Sequence, residues 1–191
     1  MEGMRALAVV VVVTLIAAAL ILVMTRSRGK THPPDRSVMA DLRLRALQAP
    51  PEEIGASVSS ERGETPFAIV MDIGMEKGTA SLFAAMTGDA SIYLSTGGGV
   101  IGGIGHENVR SAAIAFVREA DHYRQGLVRT TEYPYPSAGQ VRFYIRAKNG
   151  VYMAEKSERD LGEKRDPLWP LFYSGQEVIS QLRVSAPEFG K

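Results

Sequence analysis

Six of the nine residues from Gly97 to Gly105 are glycine, in the run Ser95-Thr96-Gly97-Gly98-Gly99-Val100-Ile101-Gly102-Gly103-Ile104-Gly105-His106. Glycine lacks a Cβ and carries the largest backbone entropy, so such a run propagates neither a helix nor a central strand. It must be a junction. On its N-terminal side residues 90–95 alternate Ile92 and Leu94 with Ser91, Tyr93 and Ser95, as a strand does. On its C-terminal side Val109, Ala112, Ala113, Phe116, Val117 and Ala120 recur at helical spacing. The spacing predicts an amphipathic helix over residues 107–121, with Glu107 complementing the dipole of its first turn.

The remaining elements follow from turns and periodicity. Residues 67–73 form an apolar run with Asp72 as its lone charge, and residues 79–86 form a second strand. With residues 90–95 they make an antiparallel meander joined by short turns. Residues 140–148 and 151–156 flank Asn149-Gly150, the favoured pair for a tight hairpin turn. That turn places Val141, Phe143, Ile145, Tyr152 and Ala154 on one face as core. It leaves Arg142, Tyr144, Arg146 and Lys148 on a basic, solvated face. Ser174 and Glu177 read as a capping box opening a helix over residues 175–184, with Leu168-Trp169-Pro170-Leu171-Phe172 as an aromatic plug before it.

The expected class is therefore α+β: a two-layer domain of about five antiparallel strands and two amphipathic helices, ordered βββ-α-ββ-α. This order is loosely similar to profilin-like sensor and roadblock-type domains. The resemblance is one of topology and carries over neither residues nor activity.

Residues 6–24 hold no charge, with Thr14 as the only polar side chain. At about 1.5 Å per residue the run spans roughly 28 Å, close to the ~30 Å hydrocarbon core of a bilayer. Thr25-Arg26-Ser27-Arg28 follows it in place of a small-residue cleavage site, so the reading is an uncleaved single-pass anchor. Arg26, Arg28 and Lys30 outnumber the cations on the N-terminal side, which puts the remainder of the chain on the cytoplasmic side. The organisation read from this is an anchor over residues 1–25, a juxtamembrane linker over 26–62 and a globular domain over 63–191. The linker contains a short helix over 38–48, which either lies on anionic headgroups through its arginines or packs on its own domain.

The net charge is +1, which gives no global field for nucleic acid, and nucleic acid is not expected as a partner. The chain has no cysteine, and His32, His106 and His122 are scattered. Neither a metal nor a cofactor is expected. Gly97-x-Gly99-x-x-Gly102 matches the dinucleotide fingerprint as a string, but it follows an antiparallel strand, and no acid ends a strand about 20 residues on. What remains is a candidate ligand loop of Thr96, Gly97, Gly98, Gly99, Gly102, Gly103, Gly105 and His106, in which backbone amides would hold an anion or nucleotide. The competing readings are a purely structural junction and a partner-docking loop. His106 with Glu107 lacks a spaced nucleophile, so capping and surface roles are preferred to acid–base work. The expected function is a non-enzymatic interaction or scaffold module held to membrane lipid by residues 5–24 and engaging another protein. The alternative is a nucleotide- or anion-binding sensor.

Overall fold

The computed structural model describes residues 36–56 and 65–186. The proposed anchor and the start of the linker lie outside the described residues. Among the described residues no helix is long and apolar enough to cross a membrane.

The chain opens with helix α1 (Arg36–Gln48) and a 3-10 turn, Pro51–Ile54. Strands β1 (Pro66–Met75), β2 (Gly78–Ala85), β3 (Ala90–Leu94) and β4 (Gly99–Val100) follow, then helix α2 (Glu107–Tyr123). Next come β5 (Val128–Thr130), β6 (Gln140–Ala147), β7 (Gly150–Ser157), the short helix α3 (Glu158–Gly162) and helix α4 (Trp169–Ser185). All strands join one antiparallel sheet of seven, in the order β4-β3-β2-β1-β6-β7-β5.

This corrects the expected fold in two respects. The sheet has seven strands where about five were expected, because β4 arises inside the glycine run and β5 follows the α2 helix. The domain has three layers where two were expected. Helices α2 and α4 cover one sheet face, where Ile69, Met71, Leu82, Ile92, Phe143 and Ile145 meet Phe116, Phe172 and Ile179. Helix α1 covers the other face, where Met39, Ala46 and Leu47 meet Val70, Phe83, Tyr93 and Tyr144. A central strand buried on both faces needs no polar alternation, which is why residues 67–73 read as an apolar run broken only by Asp72. A register shift between Pro66 and Ala68 accounts for neighbours Phe67 and Ala68 both serving the α1 side.

Two boundaries also move. Helix α4 starts at Trp169, not after Ser174, so the supposed cap lies inside the helix. Pro170 sits in its first turn, where the missing N–H costs nothing and the fixed φ favours the helix. The hairpin turns one residue earlier than expected, at Lys148-Asn149, so β7 starts at Gly150, with Ala147 opposite Gly150 and Phe143 opposite Ala154, while the residues expected to share a face still do. Its basic face, however, is solvated only in part, with Lys148 exposed. Tyr144 and Arg146 are buried beneath α1.

Candidate functional site

The glycine run divides into three short structures. Ser95 to Gly98 turn the chain out of β3. Gly97 and Gly98 take φ of 105° and 89° there, a left-handed geometry that strains any residue with a Cβ. Gly97 donates its N–H to the Leu94 carbonyl at 2.8 Å, and Leu94 donates to the Gly98 carbonyl at 2.9 Å. Gly99 and Val100 then pair with Tyr93 and Ile92 as the edge strand β4. Gly103 to Gly105 form a 3-10 turn leading to His106 at the N-cap of α2.

Thr96 is exposed at the turn, and Gly105 and His106 are exposed at the helix entrance. The His106 side chain makes no capping hydrogen bond. Gly103 alone is buried. A Cβ placed on Gly103 would lie 2.6 Å from Val109 Cγ1, 2.8 Å from Leu182 Cδ2 and 3.1 Å from the Ala90 carbonyl oxygen. Here the absence of a side chain lets β3, α2 and α4 converge. This is the close-approach role of glycine, and it is the strongest local reason for the run.

The residues proposed from sequence thus do not converge into one cradle. Three of their N–H groups are also committed, that of Gly97 as above. Gly102 donates to Ser91 Oγ at 3.2 Å, and His106 donates to the Gly103 carbonyl at 3.1 Å. Burial pushes the Asp89 carboxyl up, and the backbone N–H groups of Ala90 and Ile104 partly oppose that. Ser95 Oγ accepts from the Thr79 N–H at 2.8 Å, a local backbone bond. Glu107 accepts from the Ser111 hydroxyl at 3.2 Å and is not engaged with His106.

The loop does display two aliphatic side chains outward. Ile101 is 60 % exposed and Ile104 is 49 % exposed, three residues apart on either side of the buried Gly103. Their frame is stiffened by the β4 pairing and by the close packing at Gly103.

A second polar centre was missed in the sequence. Asp72 is fully buried in β1, and Arg43 of α1 is 5 % exposed. Arg43 Nε donates to Asp72 Oδ1 at 3.2 Å and to Oδ2 at 3.0 Å, and Nη2 donates to Oδ2 as well. Nη1 reaches the Tyr133 carbonyl at 3.0 Å, and the Tyr135 ring lies 4.1 Å from the guanidinium carbon. Burial pulls the Arg43 pKa down, but the hydrogen bonds and charge of Asp72 outweigh it and hold it above the ordinary value. One helical turn on, Arg146 of β6 donates to the Ala46 carbonyl at 2.6 Å and to the Ala49 carbonyl. These bonds satisfy orphan carbonyls at the C-terminal end of α1. Arg142, by contrast, pairs with Glu155 across the hairpin.

The signal for this centre was present but masked. The α1 residues that turn inward are Met39, Arg43, Ala46 and Leu47, at i, i+4, i+7 and i+8. That is a helical stripe with an arginine in it, while Val38 and Leu44 face out. A search for apolar periodicity alone discards such a stripe. The partner was in plain view as the single charge in the apolar run of β1.

Among the described residues no group of three or more histidine and carboxylate side chains is placed to hold a metal ion. Comparison with protein-family models, with curated proteins and with solved structures finds no significant match for this chain. The class the fold defines is a three-layer α+β domain with a seven-stranded antiparallel sheet.

Proposed function

We propose that this chain is a membrane-tethered interaction module, anchored by residues 6–24 with its domain on the cytoplasmic side, and that it engages another protein through the tip of the glycine run. The observation that carries this reading is the outward display of Ile101 and Ile104 on a braced loop. Exposed aliphatic side chains held rigidly cost little entropy on binding, which is what a docking knob requires. The uncharged run supports the tether, and the arginines and lysine that follow it support the orientation. A photo-reactive residue at position 104 of the full chain, in native membranes, should give one discrete protein adduct that Ile101→Asp removes. A smear of adducts, or none, contradicts the reading.

The anion-sensor alternative draws on the exposed first turn of α2, where the His106 side chain claims none of the N–H groups. Glu107 in that same turn opposes an anion. The alternative requires nucleotide or phosphate to shift the amides of residues 107–109, and His106→Ala to weaken that shift.

A further inference from the structure

Between the end of α1 and the β6–β7 turn lies a cleft of about 350 Å³. Leu47, Pro50, Phe67 and Val151 give it apolar walls, and Arg146 and Lys148 are its two cations. Arg146 is only 4 % exposed, yet among the described residues no carboxylate pairs with it. Its hydrogen bonds go to two carbonyls, which occupy two of the five N–H groups of a guanidinium, and its Nε has no partner. The Phe67 ring lies 4.8 Å from its central carbon. Burial pushes the Arg146 pKa down to about 10, and the phenol of Tyr133 only partly opposes that. On the 3-10 turn after α1, Glu53 lies 3.9 Å from Arg45.

Arg43 shows what a compensated arginine looks like on this same face, with both oxygens of Asp72 against it. Arg146 has only the end of a helix, worth about half a charge. Lys148 stands exposed on the cleft, and among the described residues no acid pairs with it, so their charges there sum to a positive value beside an apolar wall.

We propose that this cleft binds a phosphate group, held by the unclaimed N–H groups of Arg146 and by the Lys148 ammonium, with the apolar wall taking the group that carries it. Phosphate offers several acceptor oxygens to a fork of donors and a point charge, the combination these two residues supply. The source is either a soluble phosphomonoester or a lipid headgroup. The site lies apart from the glycine run and does not depend on protein docking there.

The test is a titration of isotope-labelled full chain in uncharged micelles with inorganic phosphate at constant ionic strength. The readouts are the Nε–H resonance of Arg146 and the amides of Lys148 and Gly150. The expected result is a saturable shift at all three while the amides of residues 102–108 stay still. Lys148→Glu, an exposed change that leaves the α1 contacts intact, should weaken the apparent affinity about tenfold. Repeating the titration with glycerol phosphate and with short-chain phosphatidic acid separates the sources: tighter binding of the lipid assigns a headgroup, and equal binding assigns a free phosphomonoester. No saturable shift at Arg146, or a shift that Lys148→Glu leaves unchanged, overturns the proposal. Movement confined to residues 107–109 overturns it too and favours the anion reading of the α2 entrance. Neither of these results touches the crosslinking test at position 104.

Discussion

The two faces of the sheet are buried to the same degree by different chemistry. Toward α2 and α4 the contact is apolar throughout, from Ile69 and Phe143 to Phe116 and Phe172. Toward α1 the sheet presents Asp72 and Arg146 among Val70, Phe83 and Tyr144, and the helix answers with Arg43 and its own terminal carbonyls. The first face gains from area alone, and area does not fix register closely. The second sacrifices some of that gain to desolvate charges, and in return the bonds from Arg43 and Arg146 allow α1 one position along the sheet. The helix so fixed is the one that follows the proposed tether in sequence. A helix with a thin apolar stripe is thereby held in place by polar anchors.

Breaking one anchor should have the largest effect. Asp72→Ala leaves Arg43 buried without its counter-charge and should cost about 3–5 kcal/mol in urea unfolding of the full chain in micelles. Phe116→Ala on the apolar face should cost a similar ~3–5 kcal/mol through a cavity. The faces then separate in the second step. Replacing both partners, as Arg43→Met with Asp72→Leu, should recover most of the loss of the single variant, because the penalty is an orphaned charge and not lost volume. A double variant no more stable than Asp72→Ala would refute that account of the α1 face.

Gly103→Ala should come next, at about 1–3 kcal/mol, because the new methyl would overlap Val109, Leu182 and the Ala90 carbonyl. This tests whether the glycine run serves packing where β3, α2 and α4 meet. Ile101→Asp should stay within about 0.5 kcal/mol of the parent while abolishing the crosslink, since its side chain faces out.

The smallest effect concerns a half-buried acid, Glu158. Burial pushes the Glu158 carboxyl up, with nothing opposing it. Its folded pKa then exceeds the unfolded one, so its favourable contribution is complete below the unfolded pKa and is lost as pH rises through the folded value. Glu158→Gln should therefore be no more stable than the parent in acid and slightly more stable at neutral pH. A gain from the substitution that appears only in acid would reverse this sign.

Much of the apolar face was legible in the sequence. The α2 stripe from Val109 to Ala120 and the two faces of the β6–β7 hairpin were readable because each depends on local periodicity or local turn chemistry, although the turn itself falls one residue early, at Lys148-Asn149. The α1 face was not, because its determinants are pairwise and distant: Arg43 and Asp72 are 29 residues apart, and Arg146 and Ala46 are 100 apart. Strand β4 escaped notice because Gly99-Val100 has no propensity of its own and is a strand only by pairing with β3. The start of α4 was misplaced because Ser174 with Glu177 matches a cap motif that the helix, already begun at Trp169, does not use. At the glycine run, the sequence showed that a junction was needed. That Gly97, Gly102 and His106 have spent their N–H groups within the fold could be seen only in three dimensions.

The most direct test of the two-face account is amide hydrogen exchange on the full chain, comparing the parent with Asp72→Asn. Losing the charge of one anchor should strip protection from residues 36–48 while residues 107–123 and 169–185 keep theirs, since the α2–α4 face shares no polar anchor with α1. Unchanged protection of residues 36–48, or an equal loss across all three helices, would contradict it.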